Sequence, residues 1–522
     1  MQYDFGQLSQ HARHAVQRKD WANVHAIASH IQVNFPQQAE GYFLAGLAQK
    51  AARRPAQAIQ LFAQALSLDS KRYDAAIEKA SQHLVLLQHN ECHALLTEYE
   101  TLLDNSPLYL DMAANLYTGL GLHSNAWPLY QRANVLQSDV DAFKANYAAC
   151  AVLLGKVSEA KEKYGALIQK YPKYQKHHYE YSKLEAVKDE RHIKQMLDIL
   201  AQTNLSADKN IYLYYALAKE YEDLGQWDNA FSFYKKAGDA VLSVANYRVE
   251  DEIAVLEQIQ VSCTKAWLET SNPAINESLK TPIFIVGLPR TGTTLIERIA
   301  SSHSQIESAD ETFFMQMAVR AASGEGGIHD PSVSTIKSAA ANKIELVANT
   351  YLNAIKYRLN NSPLFIDKYP FNYLYLGFIA KAFPNAKIVY LKRHPMDACF
   401  AMFKQSFFKF AYSLEDLGKY YVAQEKLRQH WQSTLGERLI ELNYEDMVAD
   451  QEGQTRMLLG KLGVEFEQAC LSFELNPASS ATASTLQVRE KIHSRSVGKW
   501  KHFKQHLKPL QDYLQRHGII VD

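Results

Sequence analysis

At 522 residues the chain is too long for one core, and two or three domains are expected. Its 47% hydrophobic and 21% charged residues describe an ordinary globular protein. Lys+Arg and Asp+Glu both total 56, a balance that gives no sign of a nucleic-acid partner. Five cysteines at 92, 150, 263, 399 and 470 show no metal-ligand spacing, so reduced thiols, a cytoplasmic setting and no bound metal are expected. The first residues, MQYDFGQLSQHARHAVQRKDW, hold no apolar run of signal-peptide length. No uncharged apolar stretch of about 18 residues occurs, so no membrane span is expected.

The first half repeats itself. Ala58, Phe62 and Ala65 are followed 34 residues later by Cys92, Leu96 and Tyr99, then by Ala126, Tyr130 and Ala133, then by Ala160, Tyr164 and Leu167. A small residue keeps the same register at Ala12, Gly46, Ala80, Ala114 and Ala148. After a slip of two residues the pattern returns at Ala218, Ala230, Tyr234 and Ala237. Small residues let helix axes approach, and an aromatic fills the gap to the next hairpin. The period resembles the tetratricopeptide repeat, against the plainer alternative of an irregular helical bundle. Tyr212, Tyr214 and Tyr215 read as packing between repeats. The pattern frays in VEDEIAVLEQIQVSCTKAWLE, and Ser271-Asn272-Pro273 marks the expected boundary.

Next comes TPIFIVGLPRTGTTLIERIASS. Ile283 to Val286 is the apolar, β-branched run of a buried parallel strand. Gly287-Leu-Pro-Arg-Thr-Gly-Thr-Thr294 follows, then a helical stretch from Leu295. Strand, glycine-bearing loop and helix point backbone N–H groups at an anion. The spacing matches the loop of nucleotide hydrolases, but Thr293 stands where those have Lys, which argues against ATP hydrolysis. The alternative is a tight turn without a ligand.

PIFIVGLPRTGTT resembles the 5′-phosphosulfate loop of sulfotransferases. Across roughly 280–502 further segments recur in order, similar to the tyrosylprotein sulfotransferase group and to bacterial proteins that join tetratricopeptide repeats to such a domain. The resemblance implies a donor, 3′-phosphoadenosine-5′-phosphosulfate, held by Pro289, Arg290, Thr291, Gly292, Thr293 and Thr294. Ser308-Ala309-Asp310-Glu311-Thr312 implies Glu311 as the base, since a phenol of pKa about 10 must lose its proton as it attacks. His303 competes for that role and ranks below Glu311. Phe365-Ile366-Asp367-Lys368-Tyr369-Pro370 implies that Lys368, with Arg290, offsets charge on the departing oxygen. Ala386 to Asp397 implies Arg393 as a 3′-phosphate ligand. Position 401 is Ala where the family pattern has Ser, and Ser406 lies five residues too far along to replace it. Tyr444, in the segment Leu439 to Asp446, is placed by adenine, with a packed tyrosine as the alternative. Ser484 and Lys499 are implied beside the sulfate and the 3′-phosphate, with Gly498 permitting close approach.

The expected architecture is a tetratricopeptide-type helical-repeat domain over 1–245, a linker helix over 246–278, and an α/β P-loop sulfotransferase domain with a mostly parallel sheet over 279–522. The expected activity is sulfuryl transfer to an acceptor hydroxyl, with protein tyrosine favoured. Carbohydrate or small-metabolite acceptors are the alternatives, and a catalytically dead repeat scaffold is the rival from another class. Partners are an acceptor protein or peptide, or a glycan or metabolite, and a further protein through the repeats.

Overall fold

The computed structural model describes residues 4–103, 106–203, 205–270, 280–478, 482 and 484–521. The boundary signal Ser271-Asn272-Pro273 lies outside them. The chain divides into two compact units, residues 1–150 and 151–522.

The first unit is a run of antiparallel helix pairs, beginning Phe5–Gln17, Trp21–Asn34, Ala39–Ala51 and Pro55–Leu68. The residues that define the sequence period form its core. Ala12, Ala58, Phe62, Ala65, Ala80, Cys92, Leu96, Ala114, Ala126, Ala133 and Ala148 have no exposed surface. A Cβ placed on Gly46 would lie 2.5 Å from the Phe62 ring, so the small residue is what admits the aromatic. This is the helical-repeat arrangement, resembling the tetratricopeptide type.

The second unit opens with more helices, among them Val157–Lys170, Ile211–Asp223, Trp227–Leu242 and Val249–Ser262. They lead to a five-stranded, all-parallel sheet. Its strands are β1 (Thr281–Gly287), β2 (Ile306–Ser308), β3 (Leu364–Lys368), β4 (Lys387–Lys392) and β5 (Leu439–Asn443), in the order β2-β3-β1-β4-β5. Alternation along β1 separates two cores. Ile283 and Ile285 pack with Val389, Leu391, Ile440 and Leu442 under the helices Thr293–Ser301 and Gln451–Leu462. Phe284 and Val286 pack on the opposite face, in a core that continues into Leu213, Leu217, Tyr234 and Ile259 of the preceding helices. Those helices therefore share one hydrophobic core with the sheet. Tyr215 is buried there, whereas Tyr212 is 41% exposed.

Ligands of open α/β sheets bind beyond the carboxyl ends of the strands. Gly287 ends β1, Lys368 ends β3, Arg393 immediately follows β4 and Tyr444 immediately follows β5, so four separated sequence segments meet at one edge.

Candidate functional site

The loop after β1 owes its path to two backbone positions that favour glycine and one that does not. Gly287 has φ 146°, and a Cβ there would lie 2.5 Å from the Leu391 carbonyl oxygen. Gly292 has φ 103° and Arg290 has φ 68°. A left-handed arginine is uncommon and marks a conformation that its surroundings enforce. Pro289, Thr291, Thr293 and Thr294 are buried around it. Thr291 Oγ1 donates to the Leu288 carbonyl at 2.7 Å, bracing the turn. The helix Thr293–Ser301 begins directly after Gly292, so the Thr293 and Thr294 N–H groups have no intrahelical acceptor and carry the positive end of the helix dipole.

Arg290 crosses the mouth of the loop. Its guanidinium donates to Ser484 Oγ and, at 3.2 Å, to Gln487 Oε1. Burial, then the charge of Arg393, lowers its pKa to about 10. Arg393 donates to the carbonyls of Arg290 at 2.8 Å and Ser496 at 2.5 Å, and its guanidinium sits 4.8 Å from the Tyr444 ring centre. The same ring lies against Gly292, where an added Cβ would come within 2.6 Å of it. Arg290 Nε and Arg393 Nε are both buried without a hydrogen-bond partner among the described residues. Two cations with orphaned donors, beside a helix N-terminus, suit a multiply charged anion.

On the other side of the loop, Lys368 Nζ donates to Glu311 Oε1 at 2.6 Å and lies 3.4 Å from Glu297 Oε2. Burial pushes the lysine toward its neutral form, but the two carboxylates override it and hold the ammonium well above its ordinary value. Burial raises the Glu311 carboxyl, and Lys368 pulls part of that back. Glu297, almost fully enclosed, is raised by burial to about 7 despite Lys368, and accepts a 2.6 Å hydrogen bond from Ser308 Oγ. Asp310 adopts φ 60° and accepts the Glu311 amide at 2.9 Å, which turns Glu311 toward β3. Beneath the pair, Asp367 accepts hydroxyls from Thr312 and Tyr351, each at 2.9 Å, and burial raises it to about 7.

Residues 282–468 match the sulfotransferase family. That segment holds the loop, Glu311, Lys368, Arg393 and Tyr444, and ends before Ser484 and Lys499. An uncharacterized protein of Aquifex aeolicus is 28% identical over 318 residues, 58% of this chain and 41% of its own length. The protein-tyrosine sulfotransferase of Drosophila melanogaster is 22% identical over 231 residues, 42% of this chain and 46% of its own. The chain thus spans less than half the length of either relative. Among solved structures, a sulfotransferase domain from the curacin biosynthetic pathway aligns at 17% identity over 47% of this chain and 99% of that one, with a TM-score of 0.34. At that score the likeness adds nothing to the fold, which rests on the strand order.

Within that matched segment, His303 is held by backbone groups. Its Nδ1 accepts the Gln305 amide at 3.0 Å and its Nε2 meets the Glu465 carbonyl at 2.8 Å. Lys499 pairs with Glu222: its Nζ lies 2.5 Å from Glu222 Oε1. Four participants went unnoticed in the sequence. Glu297 and Asp367 sat inside quoted motifs, and a charge within an otherwise buried helix or strand was the available signal. Lys404 and Glu222 lie 182 positions apart and offered none. Among the described residues no group of three His, Cys, Asp or Glu side chains could hold a metal, and no helix is long and apolar enough to cross a membrane.

Proposed function

We propose that this chain moves the sulfuryl group of 3′-phosphoadenosine-5′-phosphosulfate to an acceptor hydroxyl, with the phenol of a protein tyrosine as the acceptor. The observation that carries the reading is the Glu311–Lys368 pair beside the anion-suited loop. A base and a cation stand together at the sheet edge where the loop begins.

In this reading the acceptor oxygen forms a bond to sulfur as the bond from sulfur to the donor's bridging oxygen breaks. The hydroxyl proton passes to Glu311, whose raised proton affinity favours accepting it. The electron pair leaves on the 5′-phosphate oxygen of adenosine 3′,5′-bisphosphate. Lys368 has three N–H donors, of which Glu311 engages one, so donors remain for the departing oxygen. Arg290 and the amides of 291 to 294 hold the 5′-phosphosulfate, and Ser484 steadies Arg290. Arg393 serves the 3′-phosphate and Tyr444 the adenine. The sulfotransferase domain covers 279–522 after a linker over 246–278, and repeats over 1–245 hold the acceptor protein in the cytoplasm.

An aromatic acceptor is supported by the wall beside the pair. Phe313, 46% exposed, stands two residues after Glu311, with its ring centre 5.0 Å from that of Tyr369, the residue after Lys368. The likeness to the fly protein-tyrosine sulfotransferase supports the same acceptor. Calorimetry with adenosine 3′,5′-bisphosphate, against ATP and 5′-AMP, tests the donor. Binding that depends on the 3′-phosphate supports the reading, and equal or absent binding of all three refutes it. Radiolabelled transfer to tyrosine peptides, with sugar hydroxyls as controls, then tests the acceptor.

A further inference from the structure

The family pattern places a serine eight residues after Arg393, and this chain has Ala401 there. One turn further along the same helix stands Lys404, which caps the helix Pro395–Phe403. Its Nζ lies 2.9 Å from Glu222 Oε1 and 3.2 Å from Oε2. Lys499 reaches the same carboxylate from the C-terminal segment at 2.5 Å. Glu222 is carried by the helix Ile211–Asp223, far from the sulfotransferase segment in sequence, and is only 7% exposed. Tyr234 OH donates to its Oε2 at 2.9 Å, which sets the plane of the carboxylate.

The charges around this point do not balance. Arg290, Arg393, Lys404 and Lys499 gather at one side of the loop. Lys404 is depressed by burial and by the charges of Lys499 and Arg290, while Glu222 offsets part of that. Burial alone would raise Glu222, yet the two ammonium groups hold it at about 2, so it stays ionised. Each ammonium has three N–H donors. Lys404 reaches both oxygens of Glu222 and Lys499 reaches Oε1, so neither ammonium spends all its donors on the carboxylate. Those remaining donors, on lysines held in place by a buried carboxylate, match the oxygens of a phosphomonoester.

We infer that Glu222 is a positioning residue which holds Lys404 and Lys499 ready for the donor's 3′-phosphate, replacing the contact that Ala401 cannot make. This rests on the donor reading above. It ties the last repeat-like hairpin to donor recognition, so that hairpin is part of the donor site.

The test compares calorimetric affinities for adenosine 3′,5′-bisphosphate and 5′-AMP in the full chain and in Glu222→Gln, Lys404→Met and Lys499→Met. General damage weakens both ligands alike, whereas loss of this contact lowers only their ratio. Each variant is expected to lose tenfold or more of the wild-type preference for the bisphosphate, with 5′-AMP affinity kept within threefold. Should Glu222→Gln fail to fold, Tyr234→Phe, which frees the carboxylate plane, takes its place and is expected to lose severalfold. Variants that keep the full preference overturn the inference and leave the donor reading standing. A wild-type chain without the preference overturns both.

Discussion

Lys368 Nζ and Glu311 Oε1 stand 2.6 Å apart at the end of β3, with the Lys368 side chain wholly enclosed. A buried ammonium survives only when paired, and its partners suffer when it is removed. Under the proposed function the pair has two separable roles, one in chemistry and one in stability.

Glu311→Gln keeps the shape and removes the base. Turnover is expected to fall by about 10²–10⁴-fold while affinity for adenosine 3′,5′-bisphosphate is unchanged. Undiminished turnover in that variant, measured by radiolabelled transfer, would remove Glu311 from the mechanism. Lys368→Met strands Glu297 and Glu311 without a counter-charge, and urea unfolding should show a loss of about 3–5 kcal/mol.

Asp367 supplies a pH signature. Its folded value is raised to about 7 by burial, against an unfolded value of about 3.9. The folded chain therefore keeps a proton that the unfolded chain has lost. The resulting stability is fully present below about 4 and disappears as pH rises through about 7. Measured between pH 4 and 8, wild type should lose stability relative to Asp367→Asn, by at most about 1.4 kcal/mol per unit of the shift. A difference that stays flat, or grows with pH, contradicts the assignment.

Gly292 combines φ 103° with a Tyr444 ring 2.6 Å from where a Cβ would stand. Alanine there is strained by about 1–2 kcal/mol and displaces the ring. Affinity for the bisphosphate should drop by about tenfold or more, with the thermal midpoint little changed. Retained affinity would mean that the loop tolerates a different path.

His303 separates the two candidate bases. With both ring nitrogens held by backbone groups, His303→Gln should cost about 1–3 kcal/mol of stability and leave transfer within a few-fold of wild type. Abolished transfer in a folded His303→Gln protein would reopen the question of the base.

Gly238 tests the shared core. It lies in the helix Trp227–Leu242, and an added Cβ would come within 2.3 Å of the Tyr412 carbonyl oxygen, a backbone atom that cannot swing aside. Gly238→Ala should lower the unfolding free energy of the second unit by about 1–3 kcal/mol. Unchanged stability would mean that this helix is only loosely seated on Tyr412.

The order of the motifs, the repeat register and the loop were legible because each is local. Gly46 and Ala58 repeat at a period that helix packing requires, and Gly287 to Thr294 must be a turn followed by a helix whatever surrounds it. Glu311, Lys368, Arg290 and Arg393 could be singled out as types, since an anion needs cations and the proposed hydroxyl acceptor needs a base. Their pairing was not legible. Parallel strands bring positions 311, 368 and 393 to one edge only after β1 is inserted between β3 and β4. Burial then sets which carboxylate pairs with which lysine, because an enclosed charge must find a partner wherever the packing supplies one. That is why Glu297 joins Lys368, and why Lys499 meets Glu222 on a helix of the other half of the sequence. Residue types along the chain defined the chemistry, and three-dimensional packing decided which of those residues share it.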